Sequence, residues 1–133
     1  MDIKQIKNKL ITLSLIFGCL SIILGSIEVL VGLYNIFFGN IRIPLFCGDV
    51  FGGISLLAIG IVYLLGFKKA KNEDIKALSY IFTASIIGLG IGIVSILVLL
   101  AHLIVMEFYG INIYIVFGIL SIIPYRIIKN FVD

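Results

Sequence analysis

The sequence contains few charged side chains and no tryptophan. Lys and Arg number ten and Asp and Glu seven in 133 residues, which makes the chain 13% charged, whereas a typical soluble domain is about 25% charged. Hydrophobic residues make up 62% of the chain, and the mean hydropathy is +1.27. Because so few polar residues cannot cover the surface of a soluble core, we interpret the chain as a single integral membrane domain.

Cysteine, histidine and catalytic motifs are also scarce. The two cysteines, Cys19 and Cys47, are expected at depths in the membrane too different for a disulfide within one bundle. His102 is the single histidine, and no His or Cys pair has the spacing of a metal site. The GxSxG, Walker, HExxH and Rossmann motifs are absent. We therefore expect no metal, no cofactor and no enzymatic activity.

The apolar residues form four runs that are separated by three short connections. We predict transmembrane helices over about residues 10–38, 45–67, 77–105 and 113–128. Short connections make consecutive helices antiparallel, which predicts an all-α integral membrane fold, a four-transmembrane-helix up-down-up-down bundle. Residues 1–9 are interpreted as a short interfacial turn, and Pro124 is expected to kink the fourth helix near its last turn.

The basic residues collect on one side of this topology. Nine of them fall on the side that holds both termini and the 68–76 connection. They are Lys4, Lys7, Lys9, Lys68, Lys69, Lys71, Lys76, Arg126 and Lys129. The other side has Arg42 alone, so the positive-inside rule predicts a cell (inner) membrane protein with cytoplasmic termini. No basic stripe interleaved with aromatic residues occurs, and we expect no binding to nucleic acid.

Small and polar residues form a line along the first span. They recur at alternating steps of four and three, which places them on one face of a helix. The line consists of Ser14, Gly18, Ser21, Gly25, Glu28, Gly32, Asn35 and Gly39. Such faces are typical of contacts between membrane helices, because small residues let two backbones approach closely.

Similar small residues occur in the second and third spans. In the second span, Gly48 and Gly52 make a GxxxG step. We predict close helix packing, within the bundle or between copies, through a set of eight residues. The set is Gly18, Ser21, Gly25, Gly32, Gly48, Gly52, Gly88 and Gly92. The expected partners are the lipid bilayer together with further copies of the chain or other membrane helices.

Glu28 is the most distinctive polar residue. A carboxylate in an apolar span costs at least about 2.5 kcal/mol at the centre of the bilayer, so it should face protein or water. One hypothesis is a cation or proton site, and the other is a hydrogen-bonding anchor between helices or a position near the outer headgroups. Asp49, His102 and Glu107 are expected at the same outer end of the bundle. Together with Glu28 they form a candidate cation or proton site.

Two functional hypotheses follow. The first is a small multi-pass membrane protein that serves as a structural or accessory subunit and packs through its Gly and Ser faces. The alternative is a minimal oligomeric transporter or channel for a proton or small cation that uses Glu28. Four helices enclose little space, so a transport pathway would require more than one copy.

Overall fold

The computed structural model describes residues 3–39, 46, 48–105 and 113–132. These residues are almost entirely helical. The helices are α1 (Ile3–Phe38), α2 (Val50–Lys71), α3 (Lys76–Ile104), α4 (Ile113–Leu120) and α5 (Ile122–Val132). Four segments are long and apolar enough to cross a membrane, and α4 and α5 together supply the fourth, Ile113–Phe131. The predicted all-α, four-span membrane fold is confirmed.

Neighbouring helices in the chain are also neighbours in space. Helix α1 packs along α2, α2 also packs on α3, and α3 packs on both α4 and α5. All five helices contribute to one core of buried apolar residues, which includes Phe17, Tyr63, Ile81, Phe117 and Ile128. The four spans therefore form a single up-down-up-down bundle around a shared core.

Helix α1 begins earlier than the sequence indicated. It runs without interruption from Ile3, so the interfacial turn expected before residue 10 is part of the same helix. The reason is that Ile6 and Leu10 continue its buried apolar face into the core. Its 36 residues correspond to about 54 Å at about 1.5 Å per residue, which exceeds a bilayer core of about 30 Å.

Helix α2 begins later than expected, at Val50 instead of near residue 45. Gly48 precedes the helix and has φ +74°, a conformation that residues with a Cβ rarely adopt. Gly48 and Gly52 therefore do not form a GxxxG step on one helix. Arg42, Pro44 and Cys47 lie outside the described residues.

The connection between α2 and α3 is a compact, charged turn of residues 72–75. Lys7 of α1 pairs with Glu73 at 3.2 Å, and Lys69 pairs with Asp74 at 3.5 Å. The backbone N–H of Lys76 donates to the Asp74 carboxylate at 3.0 Å. This hydrogen bond, helped by Lys69, holds the pKa of Asp74 below its ordinary value.

The fourth span is interrupted at Ser121, between α4 and α5. Pro124 has no backbone N–H and cannot bond to the carbonyl four residues earlier, which weakens the helix at this point. The sequence predicted a kink near the last turn. Because the helix continues to Val132, the interruption lies near the middle of the span instead.

The outer surface of the bundle is strongly apolar. Large side chains are exposed along every span, and Phe51 and Ile104 are each 83% exposed. In water such a surface would drive aggregation, whereas lipid chains cover it at no cost. The bundle therefore contacts the lipid bilayer around its circumference.

Candidate functional site

Glu28 lies in the interior of the bundle, where its side chain is completely buried. Its Oε2 atom accepts a hydrogen bond of 2.9 Å from the backbone N–H of Asp49, and the Tyr114 hydroxyl lies 3.3 Å from the same oxygen. Asp49 precedes α2 and Tyr114 lies in the first turn of α4. One carboxylate from α1 thus connects the beginnings of two other helices.

The bond to Asp49 has a recognisable role in helix capping. Asp49 is the N-cap residue of α2, and its own side chain forms no capping hydrogen bond. In a capping box, a glutamate of the same helix accepts the N–H of the N-cap residue. Here Glu28 of a different helix accepts that N–H, so a carboxyl oxygen of α1 lies at the positive end of the α2 dipole.

Tyr114 completes this arrangement. Its hydroxyl also lies 3.4 Å from the Asp49 carbonyl oxygen, so it is placed between two acceptors. The ring covers Gly52, because a Cβ at that position would collide with the Tyr114 hydroxyl and lie 2.8 Å from Asp49 Oδ2. Gly52 therefore makes room for an aromatic side chain of the fourth span.

Beside this cluster, a groove with a volume of about 420 Å³ runs between α2 and α3. We name it the Gly90 groove. It is lined by Asp49, Gly52 and Ser55 of α2, by Ile87, Gly90, Ile91, Val94 and Ser95 of α3, and by Tyr114. A Cβ at Gly90 would meet no atom within 4 Å. The groove is thus an open, partly polar depression in the apolar surface.

The four residues of the predicted cation or proton site have different positions. Glu28 and Asp49 are adjacent through the hydrogen bond described above. His102 is half-buried in the last turn of α3 and does not line the Gly90 groove. Glu107 lies outside the described residues. Within the described part of the chain, no group of three His, Cys, Asp or Glu side chains could hold a metal ion.

The polar face of α1 packs against α2 of the same chain. A Cβ at Gly25 would lie 2.7 Å from the Gly53 carbonyl oxygen, and one at Gly32 would lie 2.6 Å from that of Gly48. Ser21 donates a hydrogen bond of 2.5 Å to the Leu56 carbonyl. These contacts place the two backbones in direct contact along the interface.

The remaining predicted packing residues also face neighbouring helices of the chain. A Cβ at Gly18 would lie 3.1 Å from that of Tyr63. At Gly92 it would lie 2.6 Å from the Cα of Gly118, and at Gly88 it would collide with the Ser121 hydroxyl. All eight predicted positions therefore contact other parts of the same bundle.

Sequence reasoning did not assign Tyr114 or Gly90 to a site. Tyr114 shares one face of the fourth span with Gly118 and Ser121, at steps of four and three. That spacing is the signal that could have identified it as inward-facing. Gly90 lies off the face that Gly88 and Gly92 share at a step of four, but that spacing does not indicate a groove.

Comparison with known proteins places the chain in a family. A family model described as the MJ0565 integral membrane domain matches residues 4–130. The chain belongs to this family. The chain is 51% identical over 140 residues to a relative from Methanocaldococcus jannaschii that bears the name "Uncharacterized protein MJ0565". The match covers 97% of this chain and 95% of the relative. No solved structure matches the chain. Membership of an integral membrane family agrees with the four spans of the fold.

Proposed function

We propose that the protein is a structural subunit of the cell membrane that self-associates through the Gly90 groove and has no catalytic activity of its own. The observation that carries this proposal is that some small residues are covered by a neighbouring helix and others are not. Those of α1 are covered by α2, whereas Gly90 has open space beyond it. The groove is a small-residue surface that the described part of the chain leaves uncovered.

Small residues facing lipid favour association with another helix. Membrane helices gain little from apolar burial alone, because lipid chains are equally apolar. They associate where Gly and Ser let backbones approach and where hydroxyls can bond across the interface. Gly52, Ser55, Gly90 and Ser95 supply both properties along the groove.

A second copy of the chain has the complementary shape. Phe51 lies one helical turn from Ser55 and is 83% exposed, and Ile54 beside it is 51% exposed. These side chains form a ridge next to the groove. In a two-fold symmetric pair each copy presents the same surface, so the ridge of one copy fills the groove of the other.

The orientation is part of the same proposal. Nine Lys and Arg residues share the side with both termini, which supports a cell membrane location with the termini and the 72–75 turn in the cytoplasm. The pairing surface then opens toward the outer half of the bilayer, since Asp49 lies at the opposite end of α2 from Lys68, Lys69 and Lys71.

Filling the groove tests this proposal. The variant Gly90→Leu adds a large side chain where the bundle leaves space, so its thermal unfolding temperature should stay close to that of the wild type. Its self-association, measured by energy transfer between labelled copies in liposomes, should fall by about tenfold or more. The matched control is Cys19→Leu, which enlarges an exposed residue of α1 that does not line the groove or its ridge.

Two results would contradict the proposal. The wild type could be monomeric in liposomes at all protein-to-lipid ratios, or Cys19→Leu could reduce association as much as Gly90→Leu. Either result would show that the groove does not hold a second copy.

A second candidate function is proton or small-cation transfer at the same groove. The observation in its favour is the exposed Asp49 carboxylate, which forms no side-chain cap, together with Tyr114, which lines the groove and bonds to the buried Glu28. The Tyr114 hydroxyl would then lie between a proton or cation at Asp49 and the carboxyl group of Glu28. This reading requires Glu28 to change its charge during transfer.

The variant Glu28→Gln separates the two functions. Gln retains an oxygen that can accept the Asp49 N–H but cannot change its charge. Under the structural reading, self-association and fold persist and liposomes show no ion flux with either protein. Under the transfer reading, proton or cation flux into liposomes is present in the wild type and lost in Glu28→Gln.

A further inference from the structure

A second groove lies at the lysine-rich end of the bundle, between the beginning of α3 and the helix α5. We name it the Lys76 groove; its volume is about 570 Å³. Its walls include Lys76, Ser79 and Phe82 of α3, and Tyr125 and Lys129 of α5. It lies far from Glu28 along the bundle, because Lys76 is the first residue of α3.

The groove changes in character along its length. Lys76 and Lys129 lie at its outer end, and Ser79 and Tyr125 lie about one helical turn farther in. Its inner end is closed by Phe82 and Tyr125, whose rings stack with centroids 5.6 Å apart. Phe82 is six residues beyond Lys76, or about 9 Å along the helix. From its outer to its inner end, the groove thus offers charged groups, then hydroxyl-bearing residues, then an apolar wall. A phospholipid changes in the same order and over a similar length, from its phosphate to its acyl chains.

The two lysines of this groove differ from others at the same end. Lys7 is paired with Glu73 and Lys69 with Asp74. Lys9 lies over the Phe131 ring, 6.0 Å from its centroid. Among the described residues, no carboxylate forms an ion pair with Lys76 or Lys129. Two ammonium groups therefore face one groove without an ion pair to a carboxylate of the described part of the chain.

The acidic residue nearest to the groove does not neutralise it. Asp74 accepts the backbone N–H of Lys76 through one oxygen and pairs with Lys69 through the other. Both oxygens of its carboxylate therefore have partners in or beside the turn that precedes α3. Asp74 attracts the Lys76 ammonium less than that of Lys69 and forms no ion pair with it, so this ammonium can still contact an anion in the groove.

We propose that the Lys76 groove binds an anionic phospholipid, with its phosphate between Lys76 and Lys129 and one acyl chain against Phe82. The two ammonium groups supply charge complementarity, and the Ser79 and Tyr125 hydroxyls can donate hydrogen bonds to phosphate oxygens. The apolar inner wall distinguishes a lipid from a free phosphate, which has no group to place there. Such a lipid bridges α3 and α5, which already contact each other through Phe82 and Tyr125.

Lipid titration of the purified full-length protein in detergent tests this proposal. Native mass spectrometry counts bound lipid, with phosphatidylglycerol and phosphatidylcholine as the two probes. We expect the wild type to retain phosphatidylglycerol in preference to phosphatidylcholine. The double variant Lys76→Gln/Lys129→Gln should bind phosphatidylglycerol about tenfold or more weakly, because each lysine near an anionic lipid contributes about a fivefold factor.

The matched control is the double variant Lys68→Gln/Lys71→Gln. It removes the same amount of charge from the same end of the bundle at exposed positions that do not line the groove. This variant should retain wild-type binding. Equal losses in both double variants, or equal binding of the two lipids, would overturn the proposal in favour of unspecific charge attraction.

Two further measurements keep the test decisive. Ser79→Leu fills the groove with both lysines in place, and it should also weaken phosphatidylglycerol binding if the double lysine variant fails to fold. Inorganic phosphate at millimolar concentration should not displace the lipid. Full displacement by phosphate, or unchanged binding in Ser79→Leu, would exclude a lipid seated in the groove.

Discussion

Glu28 shows how a membrane helix can accommodate a carboxyl group in the interior of a bundle. Its Oε2 atom takes a backbone N–H of Asp49 at 2.9 Å and lies 3.3 Å from the Tyr114 hydroxyl. At the protein surface, water would form the hydrogen bonds that these two groups form with Glu28. A buried carboxyl group with such partners is costly to disturb, because removal of one partner leaves the other groups unsatisfied.

At the same scale, Tyr63 is the opposite case. Its side chain is fully buried and its hydroxyl has no hydrogen-bond partner among the described residues. A buried unsatisfied group of this kind costs about 1–3 kcal/mol. We expect Tyr63→Phe to keep the ring against Phe17 and to raise the free energy of unfolding by about 1 kcal/mol, measured by thermal or denaturant unfolding in detergent.

The comparison variant for this prediction is Tyr114→Phe. It removes a hydroxyl that lies within hydrogen-bonding distance of Glu28 and the Asp49 carbonyl, so it should lower the free energy of unfolding by about 1–2 kcal/mol. Equal effects of the two substitutions would mean that the hydroxyl environments do not differ as the structure indicates.

At the scale of the helices, the α1–α2 pair depends on backbone contact. Gly25 faces the Gly53 carbonyl and Gly32 faces that of Gly48, so the two axes can approach only while these positions lack a side chain. Helix α2 in turn depends on α1 for the acceptor at its N-cap. The two spans are therefore expected to fold as one hairpin.

A pair of glycine substitutions tests this dependence. Ala is the better helix former by about 1 kcal/mol, so Gly→Ala should stabilise a helix wherever space permits. At Gly25 the new Cβ would lie 2.7 Å from a backbone oxygen that cannot move aside. We expect Gly25→Ala to lower the free energy of unfolding by about 1–3 kcal/mol.

Gly90→Ala is the control in the same measurement. Its Cβ meets nothing within 4 Å, so the substitution should be neutral or slightly stabilising for the isolated chain. Destabilisation at Gly90 that equals the effect at Gly25 would contradict the described packing.

At the scale of the whole molecule, charge asymmetry and apolar surface determine how the bundle lies in the membrane. Most exposed residues of the spans are Ile, Leu, Val or Phe, and lysines concentrate at the end that holds the 72–75 turn. The first property requires lipid around the bundle. The second favours one of its two possible orientations.

Labelling of a single cysteine tests the orientation. Asn72→Cys, in a chain whose Cys19 and Cys47 are replaced by Ser, places an exposed thiol in the turn between α2 and α3. In intact cells it should react with membrane-permeant maleimides and resist impermeant ones. After the cells are opened, both reagents should label it. Labelling by the impermeant reagent in intact cells would invert the topology.

Much of this fold follows from local properties of the chain. Long apolar runs between short polar connections predict four antiparallel spans, because backbone groups in lipid must bond within their own helix. The inward face of α1 follows from the spacing of Ser21, Gly25 and Glu28. The boundaries were less predictable, since Ile6 extends α1 and Pro124 acts on the helix preceding it.

The amino-acid sequence by itself determined that this protein spans a membrane four times and which face of α1 turns inward, since hydropathy and helical spacing are local properties. Only the tertiary structure decided what that face contacts. In the folded chain, Glu28 contacts the beginning of α2 and Tyr114, which is 86 positions away along the sequence. Gly90 lies uncovered, whereas Gly88 and Gly92 pack against the fourth span. The physical reason is that partners in a bundle depend on the rotation and depth of whole helices, which no single segment encodes.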